Sequence, residues 1–231
     1  MAYSKQDLLG HLATNAWFAS LAQSERQALV DAGEVVTLRA GEMLYRKGDV
    51  GTSFLGVIAG AFKVSTLGED GREGILAVME PGNWFGEASL LDGLPRPHDV
   101  TAIGDSLVFV IGAPVFERLM RRPAFARAVG ALLCSRVRAL YGLVEDAMLR
   151  STRTRIARRL LSLARGDTTM AADARGRVSV SQEALAMMLG ITRQTLSKEL
   201  KELVHGGVLT LGYGRIDILS LPELEKRAAR S

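Results

Sequence analysis

The segment SQEALAMMLGITRQTLSKELKELVHGGVL, residues 181–209, leaves the chain few choices. Ser181 is a polar cap, an apolar helix runs to about Leu189, a tight GIT turn passes through Gly190, and Thr192 caps a second helix. Leu185, Met188, Leu189, Leu196, Leu200 and Leu203 fall on one stripe, so both helices have a buried side. Two short helices joined by such a turn make a helix-turn-helix. The following GVLTLGYGRIDILS reads as two strands around Gly212, Tyr213, Gly214 and Arg215, a hairpin wing.

In this motif the first turns of the second helix enter the DNA major groove, and there stand Thr192, Arg193, Gln194, Thr195, Ser197 and Lys198. Arg193 can donate twice to O6 and N7 of guanine, and Gln194 suits N6 and N7 of adenine; each such pair discriminates by about 1–3 kcal/mol. Lys198 reaches a guanine edge or a phosphate. Ser181, Gln182, Thr195 and Arg215 are expected to grip phosphates and set register. A solvated basic helix face is the plain alternative; the turn, the stripe and the wing together favour DNA.

Charge follows the same division. The chain of 231 residues has a net charge of +4, but residues 148–231 hold 15 Lys and Arg against 8 Asp and Glu, a net of +7. The remainder holds 14 against 17, a net of −3. A basic end of this kind points to a polyanion-binding module fused to a neutral or acidic one. Composition is globular, 48% hydrophobic and 23% charged. No apolar run reaches the roughly 20 residues of a membrane span, and the N-terminus does not read as a signal peptide, so a cytoplasmic protein is expected. Cys134 is the only cysteine and reads as a small apolar packing residue. Three scattered histidines, His11, His98 and His205, make no metal site.

Upstream, residues 4–31 read as a helical lead-in. From Val35 to Ile111, short runs rich in Val, Ile and Leu alternate with Gly-bearing turns, the pattern of an antiparallel sandwich or barrel; a jelly roll of about eight strands is the most economical choice. Pro114 opens a short helix and Pro123 a long one, at positions where the missing N–H costs nothing. In that long helix, Pro123 to about Leu149, Leu133, Val137, Leu140, Val144 and Ala147 succeed one another at steps of four and three, the spacing of a two-helix seam. The polar run RSTRT, residues 150–154, reads as a hinge. The fold class expected is α+β: a jelly-roll sensor over residues 1–122, a dimerisation helix and hinge over 123–150, and a winged helix-turn-helix over 151–231.

With SQEALAMMLGITRQTLSKEL in the C-terminal region and WFGEASLLDGLPR in the strand-rich one, the chain resembles the CRP/FNR family of bacterial transcription regulators. The resemblance implies a homodimer on a two-fold symmetric operator, a nucleotide-type effector in the sensor, and allosteric control. It places Gly86, Glu87, Ala88 and Arg96 in a phosphate-binding cassette: Glu87 for a ribose hydroxyl, Arg96 for phosphate. Pro97 stands where cyclic-AMP-binding members carry serine, His98 replaces a small residue, and Leu140 and Tyr141 replace the Thr-Ser pair that meets adenine. These departures weaken cyclic AMP; His98 and Tyr141 suit a larger aromatic ligand such as cyclic di-GMP. The alternatives are an Arg96 to Glu87 salt bridge closing a vestigial pocket in an effector-independent DNA binder, and, in another class, a jelly-roll metal enzyme, for which only His98 is available. The turn at Glu69 and Asp70 and the loop 166–176 match positions where relatives touch RNA polymerase, as an activator does.

Overall fold

The strand Ser53–Ala59 is buried from Phe54 to Ile58 because it faces a core on each side. Phe54 and Ile58 point into one apolar cluster, Leu55 and Val57 into another, as the period of two requires. The computed structural model describes residues 4–13, 15–166 and 176–229. Two compact units are present, one of residues 1–66 and 76–137 and the other of 67–75 and 138–231.

The first opens with helices α1 (Lys5–Leu12), α2 (Ala16–Ser20) and α3 (Gln23–Ala32). Ser4 and Asp7 form a capping box on α1, and the Asn15 side chain accepts from Phe18 N at the start of α2. Strands β1 (Glu34–Leu38), β2 (Met43–Tyr45), β3 (Ser53–Ala59), β4 (Phe62–Leu67), β5 (Glu73–Met79) and β6 (Trp84–Phe85) precede the short helix α4 (Glu87–Asp92). Strands β7 (Asp99–Ala102) and β8 (Ser106–Gly112) follow, then α5 (Ala113–Met120) and the 27-residue α6 (Pro123–Leu149). The strands form two four-stranded sheets, β1-β8-β3-β6 and β2-β7-β4-β5, the double layer of the expected jelly roll.

The inner faces meet through Leu55, Val57, Phe62, Phe85, Val100 and Val108. The outer face of the first sheet is covered by helices through Phe18, Leu29, Phe116, Phe125 and Val129. Trp84 is the centre of that outer core: its ring lies 5.5 Å from Phe18, 5.1 Å from Phe54, 5.5 Å from Trp17 and 6.2 Å from Phe109. Gly56 makes room for it, since a Cβ there would stand 3.0–3.1 Å from the indole carbons.

The second unit holds α7 (Thr152–Ala164), β9 (Arg177–Val178), α8 (Gln182–Leu189), α9 (Arg193–His205), β10 (Leu209–Gly212), β11 (Arg215–Ile218) and α10 (Leu221–Ala229). The wing hairpin has a third strand, β9, on its outer edge. The expected hinge is shorter than its polar run: Ser151 caps α7, so Thr152–Thr154 are already helical and only Arg150 and Ser151 separate α6 from α7. Helix α10, absent from the sequence expectation, packs Leu224 and Ala228 into the core built by Ile156, Leu160, Leu185, Leu196 and Leu200.

Trp84→Ala removes the most contacted ring of the outer core and is expected to cost about 3–5 kcal/mol of stability, read as a lowered denaturant midpoint.

Candidate nucleic-acid interface and effector site

Helices α8 and α9 are joined through Gly190, whose φ of +63° is left-handed backbone that glycine adopts freely. Ser181 caps α8 by accepting from Ala184 N at 3.0 Å, and Thr192 caps α9 by accepting from Thr195 N at 3.1 Å. The apolar stripe is buried at Leu185, Leu189, Leu196, Leu200 and Leu203, with Met188 partly buried against it. Helix α7 then clamps the pair from behind: Arg155 Nη2 donates to Leu189 O at 2.7 Å, and Arg153 Nε to Glu199 Oε2 at 2.8 Å.

These clamps revise the meaning of the positive charge. Among the described Lys and Arg from residue 148 onward, arginines of α7 serve the protein itself, and others pair with Glu225, Asp217 or Glu223. Only Arg193, Lys198 and Lys201 have no partner. All three lie on α9, where Arg193, Gln194, Ser197, Lys198, Lys201 and Glu202 line an open groove of about 690 Å³. Lys201 is absent from the sequence expectation, although it follows Lys198 by three residues on the same helix and the period alone places it there.

The remaining residues are differently occupied. Thr192 and Thr195 are exposed, with their hydroxyls 2.9 Å apart. The Ser181 hydroxyl is spent on its cap, and Gln182 is half-buried. Arg215 is tied to Asp217 at 3.3 Å, and Asp217 also accepts from Arg177 at 2.5 Å. Those two arginines, Arg177 first, hold the Asp217 carboxyl below its usual range.

In the strand-rich unit, Gly86 turns the chain at φ +95° between β6 and α4. A Cβ there would meet Ser53 O at 2.7 Å and Arg96 Nη1 at 2.9 Å, so the position needs glycine for conformation and for space. Glu87 and Arg96 are 2% and 3% exposed. They do not pair. Arg96 donates from Nη1 to Gly86 O at 2.8 Å and from Nη2 to Ser53 O at 2.7 Å, and stacks over the Tyr45 ring at 4.4 Å. Burial lowers its pKa from the ordinary value. Glu87 accepts instead from Arg136 of α6, which also donates to the carbonyl of Trp84. The Arg96 to Glu87 bridge of the alternative reading is not formed: two backbone carbonyls occupy the Arg96 guanidinium, and an arginine almost fifty residues further along the chain pairs with Glu87. Glu87 Oε2 and Arg136 Nε remain buried without a partner.

Ala88 and Pro97 are exposed and His98 is half-buried. Burial, then Lys47, lowers the His98 imidazole pKa, with Asp99 opposing, and its Nδ1 has no partner. Leu140 and Tyr141 belong to the other compact unit and are 60% and 72% exposed. Of the expected seam, Leu133 is half-buried while Val137, Leu140, Val144 and Ala147 stand open to solvent. Glu69 is exposed, and Arg72 holds Asp70 at 2.5 Å, keeping that carboxyl below its usual range. Most of the loop 166–176 lies outside the described residues. Among the described residues no three His, Cys, Asp or Glu are grouped to hold a metal ion, and no helix is long and apolar enough to cross a membrane.

Residues 35–123 match the cyclic nucleotide-binding domain, and residues 154–227 the Crp-like helix-turn-helix domain. The cyclic AMP receptor protein of Thermus thermophilus is 30% identical over 189 residues, 81% of this chain and 85% of that protein. A CRP-like cAMP-activated global transcriptional regulator of Mycobacterium tuberculosis is 27% identical over 219 residues, 94% of this chain and 98% of the relative. Among solved structures, FixK2 from Bradyrhizobium japonicum shares the fold with a TM-score of 0.75 at 23% identity, covering 86% of this chain and 98% of its own. With its cyclic nucleotide-binding and Crp-like helix-turn-helix domains matched in order, and a relative 30% identical over most of its length, the chain belongs to the CRP/FNR family of transcription regulators.

Proposed function

We propose that this regulator works as a cytoplasmic homodimer that reads a two-fold symmetric operator, with DNA affinity set by a nucleotide-type effector, and that it performs no catalysis. Residues 1–122 serve as sensor, 123–150 as dimerisation helix and hinge, and 151–231 as DNA-binding domain. The observation that carries the DNA reading is that, among the described Lys and Arg from residue 148 onward, only Arg193, Lys198 and Lys201 are unpartnered, and all three line the groove on α9. Cations already paired inside a protein release few counterions from DNA; free ones on a groove-sized helix do. Arg193 and Gln194 read bases there, while Lys198 and Lys201 hold phosphates. Thr195, Ser197 and the capping Ser181 lie beside them.

The dimer reading is supported by the open apolar stripe Val137, Leu140, Val144 and Ala147 on α6, which a second copy of the helix covers. The effector reading is supported by Glu87 and Arg96, both buried charges in a cyclic nucleotide-binding domain. Glu87 Oε2 is an acceptor in want of a hydroxyl donor, and cyclic AMP and cyclic di-GMP both offer ribose hydroxyls beside phosphates. A ligand can shift the regulator only through different affinities for its two states. Arg136 gives it a handle, being on α6 and bound to Glu87. Its occupation of Glu87 also favours a second reading, an effector-independent DNA binder with a self-satisfied pocket. Contact with RNA polymerase through Glu69 and Asp70 completes the activator reading.

Arg193→Ala is expected to lower operator affinity by about 1–3 kcal/mol and relax preference at one base, read by gel shift at fixed salt. Lys201→Ala is expected to weaken all sequences alike and reduce the salt slope by about 1. Leu140→Glu with Val144→Glu places charges in the apolar stripe and is expected to give a monomer by sedimentation; a dimer of unchanged affinity excludes this seam. Titrating cyclic AMP and cyclic di-GMP while following operator binding is expected to show a change with one of them; equal operator affinity with and without both selects the effector-independent reading.

A further inference from the structure

The cassette lacks one hydroxyl, because Pro97 follows Arg96 where the resemblance places serine. The three-dimensional arrangement supplies another from a distant strand. Tyr45, the last residue of β2, lays its ring against the Arg96 guanidinium, with Cζ 4.4 Å from the ring centroid, and packs 6.4 Å from the ring of Phe85. Arg96 is therefore fixed along its edge by the carbonyls of Gly86 and Ser53 and across its face by an aromatic ring. The Tyr45 phenol is thus the aromatic neighbour of this guanidinium.

Three further features point the same way. Burial pushes the Tyr45 hydroxyl up to about 12, and the charges of Arg96, Glu87 and Arg136 all act on it. The phenol thus stands among the charged groups of the cassette and stays protonated at neutral pH, able to donate. Its hydroxyl makes no hydrogen bond among the described residues, and it is not among the side-chain atoms sealed from solvent without a partner. It is an uncommitted donor beside a buried cation.

We propose that Tyr45 is a binding residue of the effector site, its hydroxyl donating to a phosphate oxygen of a phosphodiester ligand held by Arg96 and so replacing the hydroxyl that Pro97 lacks. The proposal rests on the effector reading above. It explains how a cassette without its serine retains a second phosphate donor, and it makes the site selective for ligands whose phosphate lies against an aromatic ring. A hydrogen bond from a neutral donor to a charged acceptor is stronger than one between neutral groups, so its loss is measurable.

The test is calorimetric titration of the full chain with cyclic AMP and, separately, with cyclic di-GMP. Tyr45→Phe keeps the ring and its stacking on Arg96 and removes only the hydroxyl. The wild type is expected to bind one of the two ligands, Tyr45→Phe to bind it about tenfold more weakly or worse, and Tyr45→Phe combined with Pro97→Ser to recover affinity. The ligand-free melting temperature of Tyr45→Phe is expected to match the wild type. Equal affinity of wild type and Tyr45→Phe, or no recovery in the double variant, overturns the role of Tyr45 and leaves the effector reading standing. A wild type that binds neither ligand overturns the effector reading, and the role of Tyr45 with it.

Discussion

The guanidinium of Arg136 binds the carboxylate of Glu87 and the carbonyl of Trp84 at once, and the strand-rich unit is organised about that junction. Through Trp84 it reaches the aromatic core; through Glu87 it reaches the left-handed turn at Gly86 and the cassette; through its own backbone it reaches α6. A buried pair like this is expensive to desolvate and adds little net stability over an apolar substitute, yet removing one partner costs about 3–5 kcal/mol because a charge is left stranded. Its contribution is to position. It fixes which turn of α6 faces the sheet.

The second unit spends its charge differently. Arg153 and Arg155 brace α8 and α9 from α7, and Arg177 with Arg215 encloses Asp217 at the wing. Bracing fixes the angle of α9 relative to the turn, and α9 then presents a face whose cations are uncommitted. Specific contact with base edges needs side chains that are free but mounted on a helix that is not. Arginines of α7 do the bracing, while Arg193, Lys198 and Lys201 of α9 stay uncommitted.

Much of this was legible along the chain because it is local. A cap at Ser181, a left-handed glycine at 190, a cap at Thr192 and an apolar stripe of period 3.6 lie within about twenty residues, and they specify the helix-turn-helix almost alone. Helix α6 has the bounds its prolines and spacing imply. What could not be read is pairing across sequence. Glu87 and Arg96 are near each other in the chain, which suggests a bridge; in space, the carbonyls of Gly86 and Ser53 take Arg96 first. No periodicity announces Arg136 or Tyr45 as neighbours of a turn forty residues or more away. Bulk charge misled in degree, since it counts braces and free cations alike. Lys201 was within reach and needed only the helical period carried one turn further.

Strand β3 carries a consequence of another kind. With Phe54 and Ile58 in one core and Leu55 and Val57 in the other, it has no face on which a side chain can change size unnoticed. An enlargement on one side presses on the helices, and one on the other presses on the inner sandwich. Its first residue, Ser53, accepts from Arg96 through a carbonyl that no substitution removes. The strand therefore acts as a shared bearing wall, and sequence drift accumulates on the second sheet, where Met43, Leu67 and Leu76 already stand exposed, and spares β3.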